Sequence, residues 1–65
     1  MLDIIREKAK KACLINKNYE IIVKILEDDN CFDKMDVSTG ISILNNLGFN
    51  DTEAQKIYLQ LIRRR

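Results

Sequence analysis

Leu47-Gly48-Phe49-Asn50-Asp51-Thr52-Glu53-Ala54 ends one helix and begins another within a few residues, and its reading decides the fold. Glycine tolerates the left-handed conformation that commonly closes a helix, so Gly48 marks the stop and Phe49 can fold back onto Leu44 in a Schellman-type closure. Asn50 can accept from the free amides of the next helix, and Glu53 can reach back as the other half of a capping box. Phe49 with Ala54 supplies a small hydrophobic staple. Asp51 and Glu53 then occupy the first turn and Arg63, Arg64 and Arg65 the last, the charge order that complements a helix dipole. The C-terminal half therefore reads as a helix-turn-helix hairpin encoded by local sequence.

The rest of the chain also reads as helix. There is no proline, there are only two glycines, and the apolar residues come in short periodic bursts, which argues against strands. A first helix is predicted from about Leu2 to Leu14, with Leu2, Ile5, Ala9 and Ala12 on one face. Asn16-Lys17-Asn18 breaks it. A second runs from near Asn18 to about Glu27 with Tyr19, Ile22, Val23 and Leu26 inward, and Asp28, Asp29 and Asn30 set negative charge against its C-terminus. A loop of about seven residues follows, anchored by Phe32 and Met35. Asp36 or Ser38 caps a third helix with the stripe Val37, Ile41, Leu44 and Leu47, inside which Gly40 marks a close helix approach. The fourth helix turns Ala54, Ile57, Tyr58 and Leu61 inward. The expected fold class is all-α: one domain over residues 1–65, a small bundle of about four short helices.

Composition narrows the function. A chain of 65 residues buries only about 60% of its unfolded surface, so stability should be marginal without reinforcement. Two cysteines, Cys13 and Cys31, with no signal-peptide pattern ahead of them, predict a reduced, cytoplasmic protein in which Cys13 is a small core residue and Cys31 an exposed loop thiol. No apolar run approaches the roughly 20 residues that span a bilayer. The absence of histidine removes the commonest proton shuttle near neutral pH, and two cysteines alone make no structural zinc site. An EF-hand register from Asp28 puts Phe32 on a ligand position, Asp33 where glycine belongs and Thr39 where the bidentate glutamate should be. With no glycine-rich phosphate loop either, no catalytic, cofactor-binding or metal-ligating residue is expected, and no enzymatic activity.

What remains is surface. Four inward stripes do not use all the aliphatic side chains: Ile21, Ile25, Ile43, Leu59 and Ile62 lie beside or off them. Contiguous exposed aliphatic area in a soluble protein usually marks a partner or self-association surface. The leading expectation is a small non-enzymatic regulatory or interaction protein that binds a protein partner or itself through these residues, with Leu47 and Phe49 of the hairpin turn.

The alternative is a nucleic-acid-associated protein contacting phosphates through Lys10, Lys17, Lys24, Arg63, Arg64 and Arg65. Residues 1–26 carry six basic side chains against three acidic ones, but Glu27 to Asp36 carry five acids against Lys34, and the net charge is only +1. Dedicated nucleic-acid binders are more often distinctly basic. A membrane-surface role for the first helix is disfavoured by Asp3 and Glu7 within it.

Leu47-Gly48-Phe49 with Glu53-Ala54 resembles the loop of ubiquitin-associated domains and of the similar C-terminal domain of the RuvA Holliday-junction protein. The stretch Leu44 to Leu61, with Tyr58-Leu59 added, also resembles the opening helices of TrmB-type archaeal regulators. The likeness covers about 20 of the 65 residues. It implies Leu47, Gly48 and Phe49 as a partner-binding loop. Both families continue into a further, functional helix that has no counterpart before Arg65.

Overall fold

The computed structural model describes residues 2–62 and is all-α, with no strand among them. Five α-helices follow in order: α1 (Leu2–Ile15), α2 (Glu20–Ile25), α3 (Cys31–Lys34), α4 (Val37–Asn46) and α5 (Asp51–Ile62), with a 3-10 turn at Lys17–Tyr19 leading into α2.

The hairpin turn closes as its sequence dictates. Gly48 has φ +103°, its amide donates to the Asn45 carbonyl (3.0 Å), and the Phe49 amide donates to the Leu44 carbonyl (3.1 Å). These are the two hydrogen bonds of a Schellman closure. The Asn45 side-chain amide adds a third, to the Phe49 carbonyl at 2.9 Å. On the other side the Glu53 amide donates to Asn50 Oδ1 (2.8 Å) and the Asn50 amide to Glu53 Oε1 (3.3 Å), a reciprocal capping box.

The N-terminal pair is built differently. Asn16 is extended, and its Oδ1 accepts from the Asn18 amide at 3.0 Å, which starts the 3-10 turn and reverses the chain so that α2 packs back on α1. The carbonyls at the end of α2 are met from outside their own helix. The Arg6 guanidinium on α1 donates to the carbonyl oxygens of Leu26 (2.5 Å) and Glu27 (3.2 Å) and to the Asp29 carboxylate (2.7 Å). Orphan carbonyls at a helix C-terminus need such donors. Arg6 also offsets the negative charge that Asp28 and Asp29 bring to that end.

The loop expected after α2 contains an additional helical turn, α3. The Asp28 carboxylate organises it, accepting from the Asn30 amide at 2.9 Å and from Lys34 Nζ at 2.6 Å. Lys34 first, and the Asn30 amide second, hold the Asp28 carboxyl below the ordinary carboxylate range. This turn buries Cys31 and Phe32 together, which reverses the expectation for the two thiols. Cys31 is in the core, where burial raises its pKa, and Cys13 is only half-buried.

One core joins the two halves. Its fully buried large side chains are Ile5 of α1, Leu26 at the end of α2 and Leu44 of α4. Tyr19 Oη donates to the Asn46 carbonyl at 3.0 Å, and Lys8 Nζ stands 5.2 Å from the centre of the Phe49 ring, so both links converge on the end of α4 and its turn.

Within the hairpin, α4 buries Gly40, Ile43, Leu44 and Leu47 with Ile41 half-buried against the core, so of the predicted row only Val37, 56% exposed, departs, and Ile43 turns inward beside it. The cause is Gly40. A Cβ there would lie 2.6 Å from Cε1 of Tyr58, whose ring sits edge-on to Phe32 at 6.3 Å, so the bare glycine admits the ring and rotates Ile43 inward.

Candidate functional site

Among the described residues no group of three or more Cys, Asp or Glu side chains is placed to hold a metal ion, and the candidate site is the apolar surface that the core leaves over. The seven aliphatic and aromatic side chains expected to form it divide. Ile43 and Leu47 are core residues, Leu47 on the inward stripe expected for its helix and Ile43 on the face that carries Gly40. Phe49 and Ile62 are half-buried and pack against the core from its edge. Ile21, Ile25 and Leu59 are exposed, with Ile21 at 69%.

The first two of these share a face. Ile21 and Ile25 are one turn apart on α2, where side chains four residues apart are neighbours. Ile21 lines a shallow depression with Lys17 and Lys24, and Ile25 lines a second with Lys24, Cys31 and Met35. The two depressions meet at Lys24. The result is an aliphatic ridge on α2 that continues over Met35, edged by cations. Lys24 lies only within 4.0 Å of Glu20, and Lys34 is held by Asp28, which raises its pKa. Leu59 stands on α5, and of the apolar residues of the hairpin turn Leu47 is buried and Phe49 half-buried.

The structure also exposes aliphatic side chains that the sequence reading did not single out. Ile4, Leu14 and Ile15 on α1 are 57%, 88% and 91% exposed. Their signal was available: none belongs to the Leu2, Ile5, Ala9, Ala12 stripe.

The basic residues of the alternative reading do not converge on one track. Lys10 lines a depression that it shares with Glu27 and Asp29, whereas Lys17 and Lys24 border the α2 ridge. Arg63, Arg64 and Arg65 lie outside the described residues. Among the described residues no helix is long and apolar enough to cross a membrane.

No protein-family model matches this chain, and no curated protein or solved structure matches it either. The likeness of Leu47-Gly48-Phe49 to the loop of ubiquitin-associated domains has a local physical basis in the Schellman closure and the capping box.

Proposed function

We propose that this chain is a small non-enzymatic interaction protein that binds a protein partner through the exposed aliphatic ridge of α2, centred on Ile21 and Ile25. The observation that carries the reading is that these isoleucines stand one turn apart on an outer helix face while the core is filled by other residues. Exposed aliphatic area in contiguous form is costly to keep in water, and burying it is the dominant favourable term in most protein association. Lys17 and the Lys24–Glu20 pair edge the ridge with mixed charge, so the matching face of a partner is apolar with flanks of both signs.

Among the described residues the lysines of the phosphate-binding alternative share no one track: Lys10 lines a depression with Arg6, Glu27 and Asp29, and Lys24 lies 4.0 Å from Glu20. The test is capture of a binding protein on the immobilised chain, compared with the Ile21→Asp and Ile25→Asp variants. The reading expects one discrete bound species that both variants lose while their far-ultraviolet circular dichroism stays helical. Capture unaffected by both substitutions would refute it.

A further inference from the structure

The outer face of α1 carries a pattern of its own. At about 100° per residue, Ile4, Glu7, Lys11, Leu14 and Ile15 fall within roughly 100° of arc, opposite the face that buries Ile5 and Ala9. All five are exposed, and Leu14 and Ile15 are almost wholly so. Ile4, Glu7, Lys11 and Leu14 are spaced three, four and three apart, the a/d spacing of a helix-pairing seam. Among the described residues neither Glu7 nor Lys11 has an ion-pair partner.

The order along this seam is apolar, acid, base, apolar, and it is symmetrical about Ala9. Such a surface is its own complement when a second copy runs antiparallel to it. Ile4 then meets the second copy's Leu14, and Glu7 meets the second copy's Lys11, each twice by the two-fold axis. A parallel pairing would instead set Glu7 against Glu7 and Lys11 against Lys11, and like charges in register are strongly disfavoured. We propose that this protein forms a homodimer by antiparallel, two-fold packing of α1 on α1 through Ile4, Glu7, Lys11 and Leu14, with Ile15 covering the edge. This goes beyond the α2 reading and does not rest on it, since it names a second copy of the chain as partner and uses a separate face. Polar layers of this kind fix register and orientation at some cost in affinity. A seam from one 14-residue helix is short, so the dimer is weak and reversible.

Sedimentation equilibrium from about 10 μM to 1 mM tests it on wild type, Glu7→Lys, Lys11→Glu, the double exchange, Leu14→Asp and Ile21→Asp. Wild type is expected to dimerise. Each single change turns two attractive layers into two repulsive ones and should raise the dissociation constant about tenfold or more. The double exchange restores both layers and should return it to within about threefold of wild type. Leu14→Asp should abolish the dimer with helicity unchanged, since its site is 88% exposed.

A monomer throughout the range, or a dimer indifferent to both single changes, or a double exchange that fails to recover, would overturn the proposal. A dimer lost in Ile21→Asp but kept in Leu14→Asp would overturn it in favour of the α2 ridge. A monomer that binds anionic vesicles through Leu14 would overturn it in favour of a lipid surface. Capture of another protein on the α2 ridge by a chain that stays monomeric would leave the interaction reading standing and this inference refuted.

Discussion

Two glycines do opposite jobs in this chain, and the sequence makes both visible to different degrees. Gly48 is required by backbone conformation: its φ is +103° and nothing lies within 4 Å of the place a Cβ would take. Gly40 is required by space, because Tyr58 lies over it. Alanine is a better helix former than glycine by about 1 kcal/mol, so propensity alone makes Gly40→Ala stabilising. The contact at 2.6 Å to a buried ring overrides this. We expect Gly40→Ala to destabilise the fold by about 1–3 kcal/mol through overpacking, read from the urea midpoint; a rise in the midpoint would show that the ring yields freely. The turn residues Gly48, Phe49, Asn50 and Glu53 were legible because each acts on neighbours within six positions. The side chains flanking Gly40 were not. Val37 and Ile43 compete for the inward face of one helix, and the choice belongs to Tyr58, fifteen or more residues away.

At the scale of elements the same division holds. α1 and α5 show their inward stripes in their own periodicity, and their observed faces follow it. The end of α2 does not, because its cap is Arg6, twenty residues earlier in the chain. Read alone, Asp28-Asp29-Asn30 places unfavourable charge at a helix C-terminus. Arg6 in place changes its sign, and Asp28 serves α3 instead. Two of the three acceptors of Arg6 are backbone carbonyls, and those bonds do not depend on Asp29. Arg6→Gln should therefore lower the melting temperature clearly more than Asp29→Asn, measured by circular dichroism under the same conditions. Equal effects would mean that the guanidinium acts only as an ion-pair partner. α3 was missed for a related reason: four residues are too few to show a period, and Phe32 and Met35 signal burial without signalling a helix.

The whole molecule is small, and smallness is what turns packing into a functional argument. The core takes few large side chains, chiefly Ile5, Leu26, Phe32, Ile43, Leu44, Leu47, Ile57 and Tyr58, and Ile4, Leu14, Ile15, Ile21, Ile25, Val37 and Leu59 remain outside it. Sequence alone located part of the surplus, but it offered Ile43 and Leu47, which are core, as surface and left Ile4, Leu14 and Ile15, which are exposed, unremarked. Periodicity reports which residues share a face, and it leaves open which face a neighbouring helix covers. What matters is this partition between core and exposed aliphatic side chains. Its most direct test is equilibrium denaturant unfolding of Ile21→Asp beside Ile43→Asp. Exposed substitutions away from special features usually change stability by no more than about 0.5 kcal/mol, whereas a carboxylate forced into the core costs several kcal/mol, enough to unfold a domain of this size. The account predicts an Ile21→Asp protein about as stable as wild type and an Ile43→Asp protein that is largely unfolded. An Ile21→Asp protein that loses several kcal/mol would place that side chain in the core in solution and contradict the account.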